Sequence, residues 1–126
     1  MSTAPSSALV TPHRVVVILL PLVVLVQAAM AGQHLYGGED IIELHGYLGS
    51  GTFLLALANV PLALAVRKGD GVAFGLAVAL VALTFAQVGL GYVGRDTAEA
   101  AAWHIPLGVA ILGLASYQLS LLRAPR

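Results

Sequence analysis

Four uncharged, mostly apolar stretches alternate with short polar ones along the chain, at residues 15–32, 46–66, 72–93 and 105–122. A helix crossing a hydrocarbon core of roughly 30 Å needs about 20 apolar residues, and each stretch is of that order. The pattern predicts helices over 14–35, 40–66, 72–94 and 98–122. The implied fold class is all-α: a polytopic membrane protein built as a four-helix transmembrane up-down bundle, one domain over residues 1–126. Short connections make consecutive helices antiparallel neighbours, which sets the first and third, and the second and fourth, on the diagonals. Residues 1–11, rich in Ser, Ala, Thr and Pro, read as a disordered cytoplasmic tail.

Composition supports the membrane reading. Charged residues make up 10% of the chain and hydrophobic ones 59%, whereas soluble domains carry about 25% charged residues. The first helix has a competing interpretation as a signal peptide, because His13-Arg14 precede an apolar run that ends at Ala29-Met30-Ala31. That run is longer than a signal-peptide core, which favours a retained span.

Net charge is zero, but it is polarised. Arg14, Arg67, Lys68, Arg123 and Arg126 lie at the N-terminus, the second connection and the C-terminus. Glu39, Asp40, Glu43, Asp96 and Glu99 lie in or beside the first and third connections, with Arg95 the only cation there. The positive-inside rule then places both termini in the cytoplasm and the acidic connections outside, in a multi-pass inner or plasma membrane protein. The lipid bilayer is the expected partner and nucleic acid is not. Absence of cysteine excludes disulfides, thiolate metal sites and covalently attached c-type haem.

The chain also matches itself. Gln27 is followed 18 residues later by His45 in His45-Gly46-Tyr47-Leu48-Gly49, and Gln87 is followed 17 residues later by His104 in His104-Ile105-Pro106-Leu107-Gly108. Each half reads Gln, acidic loop, then His-x-x-x-Gly, as in a parallel two-hairpin repeat about an axis along the membrane normal. Glu39-Asp40 and Asp96 precede the second and fourth helices as cap candidates. Pro106 leaves open whether the last helix starts at Thr97 or at Ile105, since proline suits a first turn.

Polar groups within the spans are few: Gln27, His45, Asn59, Thr84, Gln87, His104 and Gln118, with His34 nearer the surface. Such groups are functional candidates by default. At about 1.5 Å of rise per residue, His45 and His104 lie about 9–10 Å into their helices, with Gln27 and Gln87 at matching depth. Two histidines on diagonal helices at one depth suit axial ligation of haem. Gly49 and Gly108, one turn further on the same faces, would give a flat macrocycle clearance. Gln27 and Gln87 either orient the imidazoles or bond each other across the bundle. His34, Tyr92 and Arg95 are placed to meet propionates, although that surface is acidic overall. Asn59 and Gln118 suit interhelical or backbone bonds, with groups freed by Pro61 within reach of Asn59. Trp103, Tyr36 and Tyr92 suit an interfacial belt, and His13 beside Arg14 suits a solvated position.

The segments "IIELHGYLGSGTFLLALA", "FAQVGLGYVG" and "WHIPLGVAILGLA" resemble one half of a haem A synthase. That family has two four-helix halves with histidines at the outer ends of the second and fourth helices of each. The resemblance spans roughly residues 15–122 and implies that His45 and His104 hold one b-type haem between them. The family's catalytic half has Glu three residues before the histidine and Arg after it. Here Glu43 lies two before His45, Gly46 follows it, and the outer-loop cysteines are absent, so the resemblance leaves catalysis open. The leading expectation is a b-type cytochrome module in electron transfer or haem handling near the outer face. Its expected partners are a quinone or other redox partner and a second copy of the chain completing eight helices. The alternatives are a cofactor-free accessory or assembly subunit, and a small proton- or solute-conducting protein.

Overall fold

Ala, Leu and Val dominate the apolar stretches, and without water to bond its backbone such a chain closes its own hydrogen bonds as helix. A computed structural model of the protein describes residues 7–38 and 40–122 and holds four helices: α1 (Ser7–Tyr36), α2 (Ile42–Val66), α3 (Gly71–Val93) and α4 (Ala98–Ser120). Each is long and apolar enough to cross a membrane, and no strand occurs among the described residues. Consecutive helices pack together and α1 closes the ring on α4, while the backbones of the diagonal pairs stay apart and α2 meets α4 through side chains alone. The protein is therefore an all-α, polytopic four-helix membrane bundle. The described ends of α1 and α4 share one end with the α2–α3 turn, here the terminus end. The α1–α2 and α3–α4 connections form the other, the loop end.

α1 starts earlier than expected and α2 two residues later, whereas α4 starts at the expected residue. α1 begins at Ser7, so residues 7–11 of the expected tail are helical, and residues 1–6 lie outside the described part. Pro12 falls early in α1, where its missing N–H frees only the carbonyl of Ala8, close to the helix end. α2 begins at Ile42 with Ile41 as its N-cap and no side-chain cap bond, so Asp40 does not cap it; Glu39 is outside the described residues. α4 begins at Ala98 behind Thr97. Neither Asp96 nor Thr97 caps it, because the Thr97 hydroxyl donates backwards to the Val93 carbonyl at 3.1 Å. Pro106 thus lies inside α4, where it leaves the Ala102 carbonyl without its helical donor.

One capping residue went unanticipated. In the α2–α3 turn, where Gly69 takes a positive φ of 80°, Asp70 accepts from the Ala73 N–H at 3.0 Å and from Arg67 Nη2 at 2.6 Å. Arg67 also donates to the Leu121 carbonyl at 3.5 Å, tying the turn to the end of α4. The Ala73 N–H bond, and next the Arg67 guanidinium, hold the Asp70 carboxyl below its ordinary pKa. Its stabilising contribution is then complete above the unfolded-state value of about 3.9 and fades as pH falls through the lower folded value. Asp70→Ala is expected to lower stability by about 0.5–2 kcal/mol at neutral pH. Unfolding in detergent at pH 7 and below pH 4 checks this, the wild-type advantage shrinking in acid.

The helices are apolar on every side, so burial sorts by size and polarity. Ala56, Ala63, Ala73, Ala77 and Ala115 are buried, while Leu22, Leu25, Leu54, Phe85 and Val109 face outward. Small residues let backbones approach where lipid is as apolar as leucine. Val16, Leu20, Ala56, Leu80, Ile111 and Ala115 form a buried apolar plug in mid-bundle.

The buried positions repeat with the sequence offsets of the Gln and His pairs. Leu20 corresponds to Leu80, Val17 to Ala77, Ala56 to Ala115, and Asn59 to Gln118, all buried. Burial thus treats the two hairpins alike, as a pseudo-two-fold axis along the bundle would.

Candidate functional site

Above the plug, at the loop end, the four helices part around a cavity of about 430 Å³. Its walls carry Gln27 and His34 from α1, His45 and Gly49 from α2, Gln87 from α3 and His104 from α4. That volume lies within the range of about 300–1,000 Å³ usual for small-molecule and cofactor sites.

His45 and His104 face each other across it, ring centroids 6.0 Å apart and planes inclined at 60°. Each is fixed by its inner nitrogen. His45 Nδ1 lies 3.1 Å from the Gln27 carbonyl and His104 Nδ1 lies 3.0 Å from the Gln87 carbonyl. A carbonyl only accepts, so Nδ1 carries the proton and the neutral ring keeps its lone pair on Nε2. This is the tautomer of a metal-ligating histidine whose other nitrogen is held by a carbonyl.

Gln27 and Gln87 are thus the hydrogen-bond partners that orient the imidazoles, as one of the two expectations has it. Their backbone carbonyls, not their side-chain amides, orient the imidazoles, and the two amides do not bond each other. Gln27 Nε2 donates to the Thr52 hydroxyl at 2.7 Å, and that hydroxyl donates to the Leu48 carbonyl at 2.8 Å. Gln87 has Ile111 where Gln27 has Thr52, and its buried Oε1 has no hydrogen-bond partner among the described residues. The glycines serve the same layer. A Cβ on Gly49 would sit 3.1 Å from Gln27 Oε1, and one on Gly108 would sit 3.0 Å from Gln87 Nε2. They make room for the glutamines rather than directly for a flat ligand. On α3, a Cβ on Gly91 would sit 2.9 Å from the His104 ring. His104 is thus lodged against bare backbone.

Tyr92 and Arg95 also line the cavity, whereas Glu43 is exposed in the first turn of α2 and does not. His13, expected in solvent, is buried in α1. Asn59, rather than serving groups freed by Pro61, donates to Gln118 Oε1 at 2.9 Å across the bundle.

The donor set bears on what the cavity can hold. Among the described residues no three His, Asp or Glu side chains come together as a metal site. A bare zinc ion needs three or four protein ligands; two opposed imidazoles suit a metal whose other ligands come from a macrocycle. Two metal–imidazole bonds of about 2 Å, plus about 1 Å from each nitrogen to its ring centre, put coaxial ligand rings about 6 Å apart. The observed 6.0 Å separation and 60° inclination match that spacing, and equally that of an edge-on contact between two rings; His45 and His104 are the residues that would hold such a group. Comparison with protein-family models, with curated proteins and with solved structures finds no match to this chain.

Proposed function

We propose that the chain is a membrane-embedded b-type haem protein in which His45 of α2 and His104 of α4 hold one haem, serving electron transfer or haem handling at the loop end. The observation that carries this reading is the opposed histidine pair, 6.0 Å apart and held through Nδ1 by two equivalent carbonyls. The likeness of the two histidine segments to a haem A synthase half supports it, without extending to that family's reaction. When bound, the haem supplies a one-electron couple. The protein's own residues orient two neutral imidazoles and exclude water from below. The plug of Leu20, Ala56, Leu80 and Ile111, each at most 2% exposed, speaks for a one-sided site over a conducting path. The positive-inside pattern sets the loop end outside, within reach of a quinone, a redox protein or a second copy of the chain.

Protein purified from haem-replete cells is expected to show a b-type reduced-minus-oxidised spectrum, and purified apoprotein to gain it on titration with haemin. A preparation that stays colourless through the titration overturns the reading and leaves a cofactor-free accessory subunit, the 6.0 Å contact then being an ordinary edge-on ring pair.

A further inference from the structure

A pseudo-two-fold axis would make the two side grooves of the cavity alike, and at the loop end they are not. On the α2/α3 side stand Arg95, Tyr92 and Gly46. The same sequence offsets place Leu35, Gly32 and Ile105 on the α1/α4 side. The Arg95 guanidinium lies 5.0 Å from the Tyr92 ring centroid, and its Nη2 is 2.8 Å from where a Cβ on Gly46 would be. The absent side chain at Gly46 is thus a notch that receives the guanidinium, and the ring beneath holds it by a cation–π contact. Asp40, Glu43, Asp96 and Glu99 are near in sequence, yet among the described residues no carboxylate pairs with Arg95. An exposed planar fork of donors at a cavity wall, with no carboxylate paired to it among the described residues, suits an incoming carboxylate. Opposite, Leu35 and Ile105 line the cavity with hydrocarbon alone.

We infer that this asymmetry orients the occupant: its carboxylate edge lies in the α2/α3 groove on Arg95, and its apolar edge in the α1/α4 groove between Leu35 and Ile105. The inference rests on the haem reading, since a haem carries both propionates on one edge and hydrocarbon substituents on the other. His45, His104 and their carbonyls repeat across the axis and cannot tell one edge from the other; His34 does not repeat, its counterpart being Gly94. Arg95 and Gly46 can tell the edges apart.

The test is a titration of the full chain, in nanodiscs of zwitterionic lipid, with haemin and with its dimethyl ester, which keeps the macrocycle and loses both carboxylates. Wild type is expected to bind haemin about tenfold or more tightly than the ester. Arg95→Gln should bind the ester as wild type does and lose the preference. Gly46→Val should also lose it, because it keeps the cation but fills the notch. An Arg95→Gln protein that retains the preference, or a wild type that never shows one, overturns the inference while the haem reading stands. Arg95-dependent binding of phosphatidylglycerol with an unaltered porphyrin preference assigns the guanidinium to a lipid phosphate and also overturns it. Failure to bind either porphyrin removes both readings.

Discussion

His104→Ala and His45→Ala are each expected to weaken haemin binding by more than about 100-fold, because even partners that only orient a metal ligand are worth 10–100-fold. Each variant keeps one imidazole on its carbonyl, at 3.1 Å for His45 or 3.0 Å for His104. A single axial ligand remains, and the six-coordinate signature of the wild type should be lost. Imidazole added to the medium is expected to restore that signature in part, by filling the space the alanine leaves. A merely structural histidine would give no such rescue. Both alanine variants retaining wild-type affinity and spectrum would remove the pair from any ligating role. The halves should also differ in tolerance. Gly91 leaves the His104 ring no room for a Cβ, at 2.9 Å, while its counterpart beside His45 is Ala31. Gly91→Val should therefore weaken binding through His104 alone.

The four spans and the diagonal placement of His45 and His104 were legible in the sequence because both follow from length. Uncharged runs fix the helices, and a rise of about 1.5 Å per residue fixes the depth of every side chain on them. The atom that partners each imidazole was not legible. Every residue has a carbonyl, so nothing in a sequence marks the Gln27 and Gln87 carbonyls as the acceptors. The signal that was present is the glycine four residues after each histidine, which lodges a glutamine side chain. The caps of α2 and α4 were misread because an acid before a helix resembles a cap whether or not its side chain turns forward. His13 was misread because its neighbour Arg14 is exposed. Yet His13 lies 14 residues before Gln27, and Asn59 and Gln118 lie 14 residues after His45 and His104. Fourteen residues are about four helical turns, which returns each to the inward face. A repeat of that length marks a second buried polar level, beneath the plug.

That second level gives the largest expected effect on stability. Asn59 is 0% exposed and Gln118 3%, joined by one 2.9 Å bond across the diagonal. Asn59 Oδ1 and Gln118 Nε2 are buried with no hydrogen-bond partner among the described residues. Removing one partner strands the other amide in an apolar interior, at about 1–3 kcal/mol. Removing both leaves nothing stranded. Asn59→Leu and Gln118→Leu are each expected to destabilise the bundle by that amount, and the double variant to recover most of the loss. The coupling should exceed the average of about 0.6 kcal/mol for polar pairs between membrane helices, because both groups are withdrawn from lipid and from water alike. Unfolding of the four proteins in mixed detergent micelles, read as a double-mutant cycle, measures it. Additive effects would mean that the amides act separately and that the register of α2 against α4 is set by the Ala56 and Ala115 packing above them. A coupled cycle places it in the amide pair, where the two hairpins meet.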